Sequence, residues 1–235
     1  MTDTEQRVAL VSGGSRGIGA AIAATLLERG WRLSFGVRRP DGFVLPGAPG
    51  QAAAFPYEAR RRDSEAAWAA ATAERFGRID AIVASAGIMT PRTVVEATDA
   101  ELDEILEINV KSPLRLVRAA WPWLSGCGRG RVLMVVSLSG KRVKMARAGL
   151  YSVSKFAALA FTHAVRHAGW EAGVRATAIC PGFVATDMAA GLSDYPLASM
   201  TQPADIAALA ALLLDLPNTA SIAEVPINCQ LEEAY

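Results

Sequence analysis

Tyr151 and Lys155 place a phenol and an ammonium group four positions apart in one short stretch of the chain. If the stretch is helical, the two side chains share a face, with Cβ atoms roughly 5–6 Å apart. Residues 155–161 are good helix formers with an apolar stripe, which favours a helix. A phenol beside a cation can give a proton to a substrate oxygen or take one from it. The competing interpretation is an exposed surface pair, and this stretch alone does not decide between the two.

A hydroxyl group can reach the same place from a neighbouring strand. The apolar run 131–136 predicts a strand, and it stops at Ser137-Leu138-Ser139-Gly140. A loop then leads to the helix that carries the phenol and the ammonium group. One strand end and one helix face would thus assemble a hydroxyl, a phenol and a cation, a set suited to proton transfer.

A glycine-rich turn near the N-terminus indicates a second kind of chemistry. Residues 13–19 are Gly-Gly-Ser-Arg-Gly-Ile-Gly, and they lie between a predicted strand (8–12) and a predicted helix (20–29). Such a turn needs positive φ, and a dinucleotide pyrophosphate can approach its backbone N–H groups with no Cβ in the way. The spacing is G-x-x-x-G-x-G, not the G-x-G-x-x-G of the standard fingerprint. In this setting the turn predicts a dinucleotide site.

The residues after the second and third predicted strands bear on the choice of cofactor. Val37 occupies the place of the acid that would bind the 2′-hydroxyl of NAD, and Arg38 and Arg39 follow it. Arg38, helped by Arg16 in the glycine turn, suits the 2′-phosphate of NADP, so the sequence favours NADP(H) over NAD(H). The alternative is two solvated arginines at a loop edge. Glu58 can accept a hydrogen bond from the adenine amine or remain a solvated carboxylate.

Apolar runs alternate with helical periodicity along the whole chain, which predicts an α/β fold with a parallel sheet. The run 40–50 has three prolines and three glycines and predicts a loop where a crossover helix would stand. No linker divides the chain, so we expect one domain over residues 1–235, with a flexible substrate lid at about 186–203. The predicted strands are 8–12, 33–37, 53–59, 81–84, 131–136, 175–180 and 222–228, and the predicted helices are 20–29, 65–76, 100–124, 152–172 and 204–216.

Asn109 lies in the middle of the predicted helix 100–124. Asparagine is unfavourable there because its side chain competes for backbone hydrogen bonds. Pro113 would clash with the carbonyl of residue 109 in a regular helix. The two residues together predict a local distortion of the helix, or a polar function for Asn109.

Composition limits the classes of partner. The chain has 235 residues, 51% of them apolar, and a net charge of +1, which gives no reason to expect a nucleic acid or a membrane surface as partner. Cys127, Cys180 and Cys229 fit no metal-site spacing and indicate free thiols. His163 and His167 are four residues apart, but no third ligand is evident, so packing or surface roles are favoured and no metal site is predicted. With no apolar signal core and no run of bilayer length, we expect a cytoplasmic protein.

Several motifs in order match one family over essentially the whole chain, and the chain resembles the short-chain dehydrogenase/reductases. The resemblance implies a doubly wound Rossmann fold, with a seven-stranded parallel sheet in the order 3-2-1-4-5-6-7 and helices on both faces. The motifs that carry the resemblance are Ser12-Gly13 to Gly19, Ser85-Ala86-Gly87, Asn109, Ser137, Tyr151 with Lys155, and Pro181-Gly182 followed by Thr186.

The resemblance also implies roles for single residues. The catalytic tetrad falls on Asn109, Ser137, Tyr151 and Lys155. By spacing the family's serine falls on Leu138, which has no hydroxyl, so Ser137 is preferred and Ser139 is the alternative. Tyr151 would exchange the proton of the substrate oxygen, and Ser137 would polarise that oxygen. Lys155, together with the oxidised nicotinamide, would lower the pKa of the phenol, and Lys155 would also hold the ribose. Asn109 would position a water. The cofactor-binding residues are Gly13, Ser15, Arg16, Gly17, Ile18, Gly19, Arg38, Glu58, Ala86, Gly87, Tyr151, Lys155, Pro181, Gly182, Val184 and Thr186.

The function that follows is hydride transfer between NADP(H) and a small-molecule carbonyl or alcohol, in a homodimer or homotetramer. The alternatives are an NAD-dependent alcohol dehydrogenase of the same family and a non-catalytic NADP-binding sensor. Four cations between positions 141 and 147 can attract an anionic substrate, although a solvated loop or a subunit contact is the commoner explanation. The predicted substrate residues are Ser139, Met145, Met188, Leu192 and Tyr195.

Overall fold

One parallel sheet forms the centre of the computed structural model, which describes residues 6–191 and 195–231. Its strands lie in the order β3-β2-β1-β4-β5-β6-β7. Each is short, and the central ones are buried on both faces, as expected for apolar strands covered by crossover helices. The strands are β1 (Val8–Ser12), β2 (Arg32–Val37), β3 (Ala52–Pro56), β4 (Ala81–Ala84), β5 (Arg131–Val135), β6 (Arg175–Pro181) and β7 (Glu224–Ile227).

Helices cover both faces of this sheet. Helices α1 (Gly17–Glu28) and α7 (Pro203–Asp215) pack on one face, in the apolar cluster that contains Ile22 and Ile206. Helices α2 (Ser64–Phe76), α4 (Ser112–Gly126) and α5 (Gly149–Gly169) pack on the other, where Trp68 is buried. The doubly wound fold and the strand order are therefore confirmed. The loop expected at 40–50 is also present between β2 and β3.

Element ends differ from the sequence prediction by a few residues. β3 ends at Pro56 instead of Ala59, because its partner β2 ends at Val37, which lies opposite Pro56. Helix α5 begins at Gly149, three residues before the predicted start, since a 3₁₀ turn at Ala146–Ala148 leads directly into it. Tyr151 is thus in the first turn of the helix and not ahead of it.

The distortion expected at Asn109 is a π-helical turn. Helix α3 (Asp99–Leu106) runs into five π-helical residues, Glu107–Lys111, before α4 begins. The N–H of Ser112 donates to the carbonyl of Glu107, five residues earlier. The wider turn relieves the contact that Pro113 would make in a regular helix and rotates Asn109 into the protein, where it is 2% exposed.

The described parts of the segment predicted as a lid are joined at its neck. The N–H of Ala185 donates to the carbonyl of Thr201 at 2.9 Å, and Val184 and Thr201 form an isolated bridge. Between these ends lie the short helix α6 (Asp187–Ala190) and a 3₁₀ turn at Leu197–Ser199. No helix among the described residues is both long enough and apolar enough to cross a membrane.

Candidate active site

A cleft of about 1820 Å³ runs along the carboxyl ends of the strands. Parallel strands all end at one edge of the sheet, so the loops that follow them meet there. Residues after β1, β2, β3, β4, β5, β6 and β7 all line the cleft. The residues that follow these seven strands are therefore brought together in the cleft, although most of the chain separates the first from the last.

The glycine turn and the start of α1 form an open anion cradle. Gly13 and Gly17 have φ of 67° and 57°, and a Cβ on Gly13 would lie 2.6 Å from the backbone nitrogen of Ala86. Arg16 occupies the N-cap position, makes no side-chain cap, and no acid follows in the first turn. The N–H groups at this helix end are thus left for a ligand, and they fit a pyrophosphate.

Gly19 has a different environment from the other glycines of the turn. It is buried and does not line the cleft. A Cβ at this position would lie 2.3 Å from the carbonyl oxygen of Gly13. Gly19 therefore permits close packing of the turn on the helix, and direct contact with a cofactor stays a prediction.

The end of the cleft beside β2 and β3 carries several arginines. Arg38 and Arg39 are exposed and line the cleft at the end of β2, and Glu58 lines it beyond β3. Arg16, which was expected to help bind a 2′-phosphate, instead pairs with Asp187 at 3.2 Å, and both side chains are largely exposed. A surface pair of this kind contributes little free energy, so a phosphate can displace it.

Ser137, Tyr151 and Lys155 converge at the middle of the cleft. The Ser137 hydroxyl forms a hydrogen bond with the phenol of Tyr151. The Lys155 Nζ donates to the carbonyl of Val135 at 2.9 Å and lies 5.5 Å from the centroid of the Tyr151 ring. Ser139 donates its backbone N–H to the Ser137 Oγ at 3.1 Å. The hydroxyl, phenol and cation expected from the sequence are therefore adjacent.

The pKa values of the phenol and the ammonium group move in opposite directions. Burial raises the pKa of Tyr151 to about 12, against a smaller lowering by the Ser137 hydrogen bond. Burial lowers the pKa of Lys155 to about 8. The sequence predicted that Lys155 lowers the pKa of the phenol. In the chain without a cofactor the pKa of Tyr151 is raised instead, because burial is the largest effect. The phenol therefore keeps its proton at neutral pH. The amine of Lys155, whose pKa is about 8, is half protonated at about pH 8.

Asn109 lies behind the cleft and holds its wall in place. Its Oδ1 accepts from the N–H of Ile88 at 2.9 Å, and its Nδ2 donates to the carbonyl of Ile88 at 2.9 Å and to the Ser154 Oγ at 3.0 Å. A Cβ on Gly87 would lie 3.2 Å from the Oδ1. The side chain thus fixes the segment that follows β4. Its predicted role in positioning a water stays a prediction.

The substrate end of the cleft includes most of the residues predicted for it. Ser139, Met145 and Met188 line the cleft, whereas Tyr195 does not. Leu192 lies outside the described residues.

The residues predicted to bind the cofactor, apart from Gly19, also line the cleft. They are Gly13, Ser15, Arg16, Gly17, Ile18, Arg38, Glu58, Ala86, Gly87, Tyr151, Lys155, Pro181, Gly182, Val184 and Thr186.

Sequence reasoning missed two residues beyond β7. Asn228 and Gln230 line the cleft. A Cβ on Gly182 would lie 2.1 Å from the Asn228 Oδ1, so these two segments are in close contact. The available signal was the position of Asn228 directly after a parallel strand, since every such strand end delivers its next residue to this edge.

The histidine pair does not face a common ligand. The His163 Nε2 lies 2.8 Å from the Glu224 Oε1, and His167 is exposed. Glu224 also pairs with Lys141. Within residues 6–191 and 195–231, no group of three or more His, Cys, Asp or Glu side chains is placed to hold a metal ion.

Known proteins with similar sequences and structures agree with this arrangement. The family model described as short chain dehydrogenase matches residues 7–196. An agropine synthesis reductase of Rhizobium rhizogenes is 38% identical over 232 residues, covering 97% of this chain and 54% of that protein. The chain thus spans about half the length of the agropine synthesis reductases that it matches.

An acetoacetyl-CoA reductase of Synechocystis sp. is 30% identical over 224 residues, 89% of each chain. An alcohol dehydrogenase of Thermococcus sibiricus, complexed with 5-hydroxy-NADP, superimposes with a TM-score of 0.84 at 26% identity, covering 98% of this chain and all of that one.

Proposed function

Because the chain belongs to the short chain dehydrogenase family, we propose that it is an NADP(H)-dependent oxidoreductase that reduces the carbonyl group of a small molecule. The observation that carries the proposal is the meeting of Ser137, Tyr151 and Lys155 in the same cleft as an uncapped helix N-terminus. A bound nicotinamide supplies or accepts the hydride. The residues of this chain bind the cofactor, orient the carbonyl oxygen and deliver its proton.

Tyr151 is the proton donor in this proposal. Its phenol remains protonated at neutral pH because burial raises its pKa to about 12. A donor must hold its proton until negative charge develops on the carbonyl oxygen, so this state suits reduction better than alcohol oxidation. Ser137, already hydrogen bonded to the phenol, polarises the same oxygen. Lys155 stabilises the phenolate that remains after the transfer.

The preference for NADP(H) rests on charge at the adenosine end of the cleft. Arg38 and Arg39 are the first residues after β2, and they directly follow Val37, which occupies the place where an acid would select NAD. Both line the cleft. A guanidinium group binds a 2′-phosphate through two parallel, charge-assisted hydrogen bonds. The neutral 2′-hydroxyl of NAD cannot form this contact, so the arginines favour NADP(H). The solved relative from Thermococcus sibiricus is complexed with an NADP derivative, which agrees with this preference.

Two further features belong to the proposal. The loop between Val184 and Thr201 serves as the substrate lid, since its neck is fixed while α6 and Met188 border the cleft. We also expect a homodimer or homotetramer, with Trp121 and Trp123 of α4 near a subunit contact. Both indoles are only partly buried in the single chain.

The test is NADPH oxidation by the purified protein with a panel of ketones, aldehydes and diketones, followed at the nicotinamide absorbance. We expect turnover with at least one class, and a kcat/KM at least tenfold higher with NADPH than with NADH. Replacing Arg38 by Ala removes its charge-assisted hydrogen bonds to the 2′-phosphate, and we expect it to raise the KM for NADPH about tenfold and to leave that for NADH unchanged. Arg62→Ala, an exposed arginine outside the cleft, is the matched control.

The other outcomes identify the alternatives. Tight NADPH binding without turnover of any carbonyl compound would indicate a sensor in place of an enzyme. Higher kcat/KM with NADH, unaffected by Arg38→Ala, would indicate an NAD-dependent alcohol dehydrogenase.

A further inference from the structure

The mouth of the cleft beside Tyr151 is basic. Arg142, Lys144 and Arg147, in the segment after β5, line the cleft. We propose that these three side chains bind an anionic group, a carboxylate or a phosphate, on the substrate whose carbonyl faces Tyr151. The inference rests on the proposed function and names the substrate class of the same site.

The structure separates these three cations from the fourth in the segment. Lys141 is drawn away from the cleft by its ion pair with Glu224 on β7. Lys144 and Arg147 are exposed, and neither forms a salt bridge with any residue that the structure describes. Their charges are therefore not neutralised within the described chain. Exposed cations that border a cleft are available to a ligand, and a guanidinium group matches a carboxylate or a phosphate in shape.

Few acids offset this charge along the cleft. Among the described residues that line it, the carboxylates are Glu58 and Asp187. Glu58 lies beyond β3, at the adenosine end, and Asp187 pairs with Arg16. The whole chain has a net charge of only +1. Positive charge thus outweighs negative charge among the described residues that line the cleft, this mouth included, and like charges around a cleft raise the local concentration of an anion.

The backbone that carries the cations is anchored. The segment lies between two 3₁₀ turns, Leu138–Gly140 and Ala146–Ala148. Gly140 packs so closely on α5 that a Cβ would lie 2.7 Å from the carbonyl oxygen of Lys155. The Lys141–Glu224 pair fixes the segment to the edge strand. An anchored backbone reduces the ordering cost when a ligand binds, and leaves only long side chains to be arranged.

The test compares, in each of two pairs, an anionic and a neutral carbonyl compound that share the same oxoacyl group. The carboxylate pair is 4-oxopentanoate and its methyl ester, and the phosphate pair is acetoacetyl-CoA and ethyl acetoacetate. The variant is Lys144→Gln/Arg147→Gln, which leaves Arg142 in place. The control is Arg62→Gln/Arg118→Gln, which removes the same charge from exposed positions outside the cleft.

We expect the wild-type protein to favour the anionic member of at least one pair. In the cleft variant, the ratio of kcat/KM for that anion to kcat/KM for its ester falls about tenfold, mainly through KM, whereas the control variant keeps the wild-type ratio. The pair that shows the larger change identifies carboxylate or phosphate as the group bound. Raising the salt concentration from about 50 to about 500 mM lowers the same ratio in the wild-type protein, because salt screens exposed charges.

Equal losses in the two double variants would overturn the proposal, as would a wild-type preference for both esters. Calorimetry with each anion and NADP⁺-saturated protein separates this failure from that of the proposed function. Binding that is weakened in the cleft variant supports the anion site even when no carbonyl is reduced, and the proposed function then fails alone. Absence of binding of both anions, with reduction of neutral ketones intact, overturns the anion site alone.

Discussion

Two serines lie close together beyond β5, but their side chains have different surroundings. The Ser137 hydroxyl contacts the phenol of Tyr151 and lies 3.4 Å from the carbonyl of Pro181. Ser139 contributes its backbone N–H, which donates to the Ser137 Oγ. One residue therefore presents a hydroxyl to the proton donor, and the other helps to orient it.

This difference predicts unequal effects of removing the two hydroxyls. We expect Ser137→Ala to lower kcat about 100-fold, the loss typical of one preorganised donor to a developing oxyanion. Ser139→Ala keeps the backbone N–H that holds the 137 position and should lower kcat by less than about threefold. Steady-state kinetics on both variants measures this, with cofactor affinity as the check on folding. A larger loss at Ser139 would reverse the assignment.

The buried amine of Lys155 predicts how stability depends on pH. Burial lowers its pKa from 10.5 to about 8, so between these values the unfolded chain holds more protons than the folded one. The free energy of unfolding therefore rises with pH across this window. At about 1.4 kcal/mol per pKa unit, Lys155 should add about 2 kcal/mol between about pH 7.5 and about pH 9.5.

The measurement is urea unfolding of the cofactor-free protein at the two pH values. The free energy of unfolding of the wild-type protein, relative to that of Lys155→Met, should rise by about 2 kcal/mol from the lower to the higher pH. Lys144→Met, at an exposed position, is the control and should track the wild-type protein. Parallel curves for the wild-type protein and Lys155→Met would contradict the inferred effect of burial.

At the level of elements, the sequence predicts whether a segment is a helix or a strand more accurately than it predicts the residues at which the segment begins and ends. The strands and most helices follow from apolar runs and glycine stops, which depend only on local pattern. The end of β3 depends on where β2 stops, and the start of α5 depends on the 3₁₀ turn ahead of it. Neither is encoded in the local periodicity. Asn109 and Pro113 predicted a distortion, but its form as a π turn required the structure.

The π turn predicts a coupled effect of Asn109 on stability and cofactor binding. Asn109→Ala removes the hydrogen-bond partners that the side chain supplies to the backbone N–H and to the backbone carbonyl of Ile88. We expect the free energy of unfolding to fall by about 2–3 kcal/mol. Because Gly87 and Ile88 line the cleft, the affinity for NADP(H) should also fall. Urea unfolding and calorimetric titration measure the two effects.

A second asparagine serves as the control for this prediction. The Asn218 Nδ2 donates to the carbonyl of Gly128 at 2.9 Å, close to the amino end of β5 and away from the cleft. Asn218→Ala should lower stability and leave the affinity for the cofactor unchanged. If Asn109→Ala also left the affinity unchanged, Asn109 would be a structural residue with no influence on the cleft.

At the scale of the whole molecule, the fold brings together groups that are far apart in sequence. Arg16 meets Asp187, and Lys141 meets Glu224. Local sequence patterns carry no information on such pairs. By sequence alone Lys141 belongs with the three cations that follow it, but its ion pair with Glu224 separates it from them. The near-neutral net charge also conceals the basic mouth, since a sum over the chain says nothing about how charge is distributed.

The most direct test of the account is the replacement of Tyr151 by Phe. This variant removes the proposed proton donor and keeps the ring that borders the cleft. Tyr57→Phe is the control, since Tyr57 also lines the cleft but its buried hydroxyl is hydrogen bonded to the Ser112 Oγ at 2.7 Å. We expect Tyr151→Phe to bind NADP(H) within about threefold of the wild-type protein and to lose about 1,000-fold in kcat, whereas Tyr57→Phe keeps kcat within a few-fold. Near-wild-type turnover by Tyr151→Phe, with normal cofactor binding, would contradict this expectation.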